Sequence, residues 1–473
     1  MWKRFAPFLV VLVPYTWMSG CGAPAPFDAP AGFTAISEPG FESADNAADR
    51  NDYPWEMTYF KPDGREVGHI YVGTGNAVMD GILGRIFGWP TESFWRPPEI
   101  RRYQADNGTQ DWERVLDFRA VESGPPWQTT GVRALLPYRV PSTGETYLYA
   151  GTFGTRPTLW RSRTGDPGTW EAVWSNATEG SIRALAVHSD ILYIAVTHEY
   201  LEPQVAGEIH ATDGRTVWPV MTDGFGTADN AGVFALASFS GWLYAGTINR
   251  NQGFEVWKLA GPDGQADPVR IVANGGTSRS QQAVGEMRVF QERLYVTALI
   301  FMNLNYDGFD PLLRAADMLR IDALDHVEVV VGPGSVGGVP SGFGHLHNAY
   351  LWCLEEHHGK LYCGTWNATS FVPVTDRYWG RIQATLNERV GVPLFFGPSP
   401  FSGFLESGQF DYLTRNGARL YASDDGVSWH EVFRDGLGNP RNYGVRNMVS
   451  TGDTLYIGIA NIDDGLQIWT MAE

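Results

Sequence analysis

The chain has 473 residues, of which 55 are Gly and 29 are Pro; these residues favour turns and break helix interiors, so a long helical bundle is excluded. With 43% hydrophobic and 13% aromatic residues, the composition supplies a full core and excludes global disorder. The 53 acidic residues against 35 basic ones give a net charge of -18, which repels phosphate backbones and argues against nucleic acid as a partner.

The chain opens with a basic Met1-Trp2-Lys3-Arg4, followed by an apolar stretch from Phe5 to Met18 and then Ser19-Gly20-Cys21. These are the parts of a secretory signal. The apolar stretch falls short of the roughly 20 residues a spanning helix needs, and Pro7 and Pro14 interrupt it. Met18-Ser19-Gly20-Cys21 resembles the bacterial lipobox, with Met in place of the usual first Leu. The resemblance implies that residues 1–20 are a lipoprotein signal peptide, that Cys21 is lipidated, and that residues 21–32 are a lipid-anchor tether. Gly22 rather than Asp after the cysteine implies the outer membrane, so the protein is expected to be exported and membrane-attached through Cys21. The alternative is an ordinary signal peptide with an incidental cysteine.

From residue 33 a pattern recurs: an apolar strand, a short turn, then an apolar-Tyr pair opening a strand of small residues. The tyrosines are Tyr71, Tyr149, Tyr193, Tyr244, Tyr295, Tyr362 and Tyr456. Third strands follow, such as Thr158–Ser162, Phe254–Lys258 and Leu466–Thr470, and then fourth strands bearing Trp112, Trp170, Trp218 or Trp429. The last copy lacks a fourth strand, and Phe33–Ser37 is an orphan that can supply it. Pro39-Gly40-Phe41 after this orphan parallels Asp223-Gly224-Phe225 after a normal fourth strand. The expected fold is therefore all-β: a seven-bladed β-propeller of four-stranded blades over residues 33–473, closed by an N-terminal strand that completes the last blade. Ser423–Trp429 resembles the Asp-box turn of sialidase-like propellers, one residue short. A kelch-like or sialidase-like propeller is the nearest family likeness, and it implies fold rather than function.

Insertions at 77–98, 300–315 and 368–417 all follow the Tyr-bearing strand, which places them on one face. They carry Phe87, Trp89, Phe94, Trp95, Phe301, Tyr306, Phe309, Phe371, Tyr378, Trp379, Phe395, Phe396, Phe401 and Phe404. Exposed aromatic rings beside Asn and Asp grip sugars by stacking and hydrogen bonding; the alternative is a satellite core beneath long loops. Residues 377–390 have the spacing of a short amphipathic helix, with Tyr378, Ile382 and Leu386 on one side. The same rim receives Asn76, His198, Asn249, Asn367 and Asn461, joined from the other connections by His345 and Asn442. This polar ring suits a hydroxyl-bearing ligand, although Asn is also a turn residue.

Arg133, Arg183 and Arg446 share one inner-strand position, occupied in other copies by Phe234, Gly285 and Trp352. Guanidinium groups near the axis can converge on a carboxylate or sulfate; the alternative is that they tie neighbouring blades. No Phe/Tyr-Arg-Ile-Pro motif is present, which disfavours a sialidase. Gly342–His347 brings in His345 and His347. With His347 and Tyr443 as base and acid, and Arg446 neutralising a uronate, this set gives the candidate catalytic residues of a polysaccharide lyase. His357 and His358 lie at the opposite end of the strand and cannot join them. Cys353 and Cys363 flank a hairpin turn and are expected to form a cross-strand disulfide.

A His-x-His pair alone does not define a metal site, and no phosphate loop, Gly-x-Ser-x-Gly elbow or His-Glu-x-x-His helix occurs, so no metal or other cofactor is identified. The functional expectation is a lipid-anchored, monomeric propeller that binds a carbohydrate on the insertion-bearing face, with lyase or other carbohydrate-active chemistry as the enzymatic option. The alternative is a non-catalytic module of the bacterial cell envelope whose partner is another envelope protein.

Overall fold

The computed structural model describes residues 29–41, 51–89, 96–104, 111–122, 128–198, 204–259, 267–301, 315–390, 399 and 417–472. The expectations for the signal peptide, Cys21, most of the tether, and Phe94, Trp95, Tyr306, Phe309, Phe395, Phe396, Phe401 and Phe404 lie outside these residues.

The molecule is mostly β with few helices, and its strands pair antiparallel in successive meanders. β2 to β5 are Tyr53–Phe60, His69–Gly75, Glu99–Tyr103 and Trp112–Asp117. β6 to β9 are Thr129–Arg139, Thr146–Gly154, Thr158–Ser162 and Glu171–Ser175. β10 to β13 are Gly180–His188, Ile191–Thr197, Glu208–Thr212 and Val217–Met221, and β14 to β17 are Gly232–Phe239, Trp242–Ile248, Val256–Leu259 and Val269–Val272. β18 to β21 are Ala283–Phe290, Arg293–Leu299, Met318–Ile321 and Val327–Val331. β22 to β25 are Asn348–His357, Lys360–Asn367, Leu420–Ser423 and His430–Phe433. β26 to β28 are Gly444–Thr451, Thr454–Ala460 and Gln467–Ala472, and β1 (Phe33–Ala35) pairs with β28 through Phe33↔Met471 and Ala35↔Trp469.

Burial falls outward along each meander for a physical reason. The second strands are apolar on both faces because a neighbouring meander covers each side, whereas fourth strands such as β13 keep exposed positions. The small residues of the repeat make that close packing feasible. A Cβ at Gly73, Gly151, Gly246 or Gly364 would collide with Val132, Ile182, Val284 or Val445 of the following meander. The repeated tyrosines are buried at the same junctions: Tyr244 donates to Asp325 Oδ1 (2.7 Å) in the β20–β21 turn, and Lys258 meets the other oxygen of that carboxylate at 2.8 Å. Likewise Arg102 reaches Asp166 (2.6 Å) and Arg161 reaches the Gly214 carbonyl (2.8 Å), each in an outer turn of the next meander. The last meander meets the first through Asn447 Nδ2, which donates to the Pro54 carbonyl at 2.6 Å.

The expected disulfide is corrected. Cys353 and Cys363 are free and buried. The β22–β23 register pairs Leu354 with Cys363 and Cys353 with Gly364, so the cysteines are offset by one residue. Side chains alternate across a strand, so the two thiols enter different apolar clusters on opposite faces of the sheet. Burial drives both thiols well above their ordinary range.

Candidate functional site

The seven leading strands share a local irregularity that builds the site. Between each leading strand and its hairpin partner the register skips a residue: Trp55 in β2, Arg133 in β6, Arg183 in β10, Phe234 in β14, Gly285 and Glu286 in β18, Trp352 in β22 and Arg446 in β26. Such bulges turn a side chain out of the ladder. The equivalent position read from the sequence is therefore a bulge position, and Trp55 completes the row.

The bulge residues form a layer of aromatic rings and guanidinium groups. Arg133 lies 4.9 Å from the centre of the Trp55 ring, Arg183 4.9 Å from Phe234, and Arg446 5.2 Å from Trp352. Beside this layer is a cavity of about 430 Å³ lined by residues of all seven leading strands, among them Glu56, Arg183, Glu286, Arg288, Glu355 and Arg446. Most of the lining lies between the bulges and the first hairpins, so the cavity extends towards the hairpin end of the molecule.

Its wall is charged: Arg183 and Arg446 are buried, and Glu56, Glu286, Arg288 and Glu355 are half-buried. Arg288 forms an ion pair with Glu355 and donates to the Leu354 carbonyl at 3.2 Å, while Glu286 accepts from Leu354 N at 3.2 Å. Glu56 accepts from Met57 N at 3.1 Å. Burial pushes Glu56 up to about 7 against the pull of Arg446, with Glu286 raising it further. Burial likewise pushes Glu355 up to about 7 despite Arg288, and raises Glu286. Arg446 is only 3% exposed, and its Nε and Nη2 have no hydrogen-bond partner among the described residues. Burial lowers its pKa, Glu56 opposing and Arg133 reinforcing the shift.

The opposite end is capped. Helices α1 (Val78–Phe87), α3 (Phe371–Arg377) and α4 (Trp379–Val390) come from two of the insertions; the short α2 (Phe118–Val121) lies elsewhere. Phe87 stacks on Trp89 at 5.3 Å, Trp89 Nε1 donates to Thr385 Oγ1 at 2.7 Å, and Tyr378 packs against Trp89. Arg377 bridges Asp80 (3.0 Å) and Asp463 (2.8 Å). Phe87 and Trp89 belong to an apolar cluster with Tyr53, Trp55, Trp352, Trp366 and Tyr443, and Phe301 and Tyr378 pack on it. These described aromatics form a core beneath the cap rather than open stacking plates.

The polar rim is likewise committed to the chain. Asn249 Oδ1 accepts from Asn251 N (3.2 Å) and Gln252 N (2.8 Å), while its Nδ2 reaches Asn230. Asn461 repeats this arrangement with Asp463 N, Asp464 N and Asn442. Asn442 also donates to the Gly436 carbonyl (2.9 Å) and to Gln467 Oε1 (3.0 Å). Asn367 Oδ1 accepts from Thr369 N and Oγ1, and His198 bridges the Glu179 carbonyl and Glu208. Asn76 is buried.

His345 and His347 are half-buried; burial, reinforced by Arg419, lowers the His345 pKa. Tyr443 is buried against Tyr53, and burial holds its phenol well above the ordinary range. Neither His347 nor Tyr443 lines the cavity that contains Arg446. Sequence reading missed Glu56, Glu286, Arg288 and Glu355. A signal was present: Glu56 and Glu286 stand one residue beyond the Trp55 and Gly285 positions, and Arg288 and Glu355 three beyond Gly285 and Trp352.

No protein-family model matches this chain, and no curated protein sequence matches it. Among solved structures it is similar to the WD40 β-propeller domain of Doa1, at 10% identity and a TM-score of 0.45, covering 93% of this chain and 97% of that one. It is also similar to a puromycin hydrolase mutant, at 9% identity and a TM-score of 0.43, covering 93% of this chain and 54% of that one.

Proposed function

We propose that the chain is a seven-bladed propeller, closed by β1 as the outer strand of the last blade, that binds an acidic carbohydrate in its axial cavity. Pairing of β1 with β28, the Asn447–Pro54 bond and one cavity shared by seven leading strands support the ring. Export and lipid attachment at Cys21 complete the reading.

The observation that carries it is Arg446. A buried guanidinium with two nitrogens left without a protein partner is costly, and an incoming carboxylate would satisfy them with charge-assisted bonds. Arg183 on the same wall adds positive charge, and the volume falls in the range of small-ligand sites. Elimination by His347, Tyr443 and Arg446 would require all three around one ligand, so we favour binding over lyase chemistry.

Calorimetric titration of residues 22–473 with galacturonate, glucuronate, sulfate and glucose tests this. The acidic ligands are expected to bind and glucose to bind at least about tenfold more weakly, with Arg446→Gln losing about tenfold or more in affinity for the acids. Equal binding of glucose and galacturonate, or an unchanged Arg446→Gln, would overturn it.

A second reading, docking of an envelope protein, draws on a patch at the hairpin end. Lys258 lies over Trp242 at 4.7 Å and bonds Asp325, beside Leu324, which is 76% exposed.

A further inference from the structure

We propose that anion capture in the axial cavity is coupled to uptake of one proton by Glu56. This rests on the binding reading above and adds the linkage that the arrangement of charges demands.

The cavity divides into two electrostatic halves. In one, Arg288 on β18 contacts Glu355 on β22 and lies beside Glu286, so both carboxylates face a compensating cation. In the other, Glu56 on β2 faces Arg446 on β26, with Arg183 on β10 contributing from further round the ring and Glu286 repelling from across it. Arg133 on β6 lies close enough to Arg446 to disfavour its charge. Asn447 on β26 and Thr58 on β2 add uncharged polar groups.

Glu355 is paired with Arg288, whereas Glu56 and Glu286 each accept a backbone N–H, from Met57 and Leu354, and form no ion pair among the described residues. What sets Glu56 apart from Glu286 is its cation: Arg288 lies beside Glu286, while Glu56 faces Arg446. Arg446 feels its charge yet leaves Nε and Nη2 unbonded. A ligand carboxylate seated on those nitrogens would bring a third negative charge beside Glu56 and Glu286 in a buried site, where like charges repel strongly.

Protonating Glu56 removes the repulsion at the least cost, because its compensating cation is Arg446, which the ligand would engage, whereas Arg288 stays beside Glu286 and paired with Glu355. One proton leaves solvent and joins a Glu56 oxygen; no other bond changes, and the acid gains an O–H that can donate to the ligand. Burial already holds this group at about 7, so the proton is accessible near neutrality. The sign follows: anion affinity is greatest below about pH 7 and falls by up to about tenfold per pH unit above it.

The test is titration of galacturonate into residues 22–473 in bis-Tris and in Tris. Both buffers are cationic, so neither competes for an anion site, and their ionisation enthalpies differ. Above about pH 7, where Glu56 is ionised before binding, wild type should show binding heats in the two buffers that differ by close to the difference of their ionisation enthalpies, and its affinity should change with pH between about 5.5 and about 8.5. Glu56→Gln should bind with buffer-independent heat, a flat pH profile and a higher affinity than wild type at the alkaline end. Binding by wild type above about pH 7 with buffer-independent heat would overturn the coupling and leave the binding reading standing. No binding of galacturonate or sulfate at any of these pH values would overturn both. The wild-type buffer comparison decides the matter even if the variant does not fold.

Discussion

Arg446 shows how far single residues were legible. Its equivalence with Arg133 and Arg183 could be counted from the apolar-Tyr pair because a hairpin fixes the distance from turn to bulge. What surrounds it could not be counted: Glu56, Glu286 and Glu355 reach one cavity from three distant segments, and only the assembled strands bring them together. The cysteine expectation failed on a one-residue offset, since a two-residue turn at His358-Gly359 pairs Cys353 with Gly364. Residues 22–473 should therefore show two thiols that resist Ellman's reagent in the native state and react in denaturant without reductant. Thiols that appear only after reduction would contradict this register.

At the scale of the element, the asparagine ring was visible in sequence, with ligand binding and turn formation both open as its purpose. Asn230, Asn348 and Asn442 each donate to the carbonyl of a glycine six residues earlier, Gly224, Gly342 or Gly436. Those glycines adopt φ of 62°, 58° and 63°, a conformation that favours Gly, and the turn they form carries the chain from an outer strand into the next leading strand. The polar ring thus has the structural logic of a hinge pin repeated between meanders. Asn442→Ala removes bonds to Gly436 and Gln467 and the acceptor of Asn461 Nδ2, which keeps only Asp464, so it should lower stability by about 2 kcal/mol, read as a shift of the urea midpoint with an unchanged slope. The insertion helix was legible from its spacing, and α4 occupies most of the expected span. The use of the insertion aromatics was not, because stacking plates and buried packing share one composition.

For the molecule as a whole, the two ends are unlike. Helices and aromatic side chains cover one, whereas the charged cavity extends towards the other. β1 begins opposite Met471, next to the end of β28 that also lies by the β26–β27 hairpin, so the chain enters the fold from the hairpin end. The length of residues 21–32 sets a limit: fully extended, these twelve residues reach no more than about 40 Å. If Cys21 is lipidated, that reach limits how far the hairpin end, and with it the cavity, stands from the bilayer. The membrane then acts as the second jaw of a slot. A monosaccharide diffuses in sideways, whereas a long acidic polymer must be drawn through the gap against the headgroups. Lengthening the tether with a Gly/Ser insertion should raise capture of polygalacturonate by intact cells and leave galacturonate uptake into the site unchanged; equal gains for both would place the cavity clear of the surface. Attachment at this end would make the distance to the bilayer, rather than the shape of the cavity, the gate on ligand length.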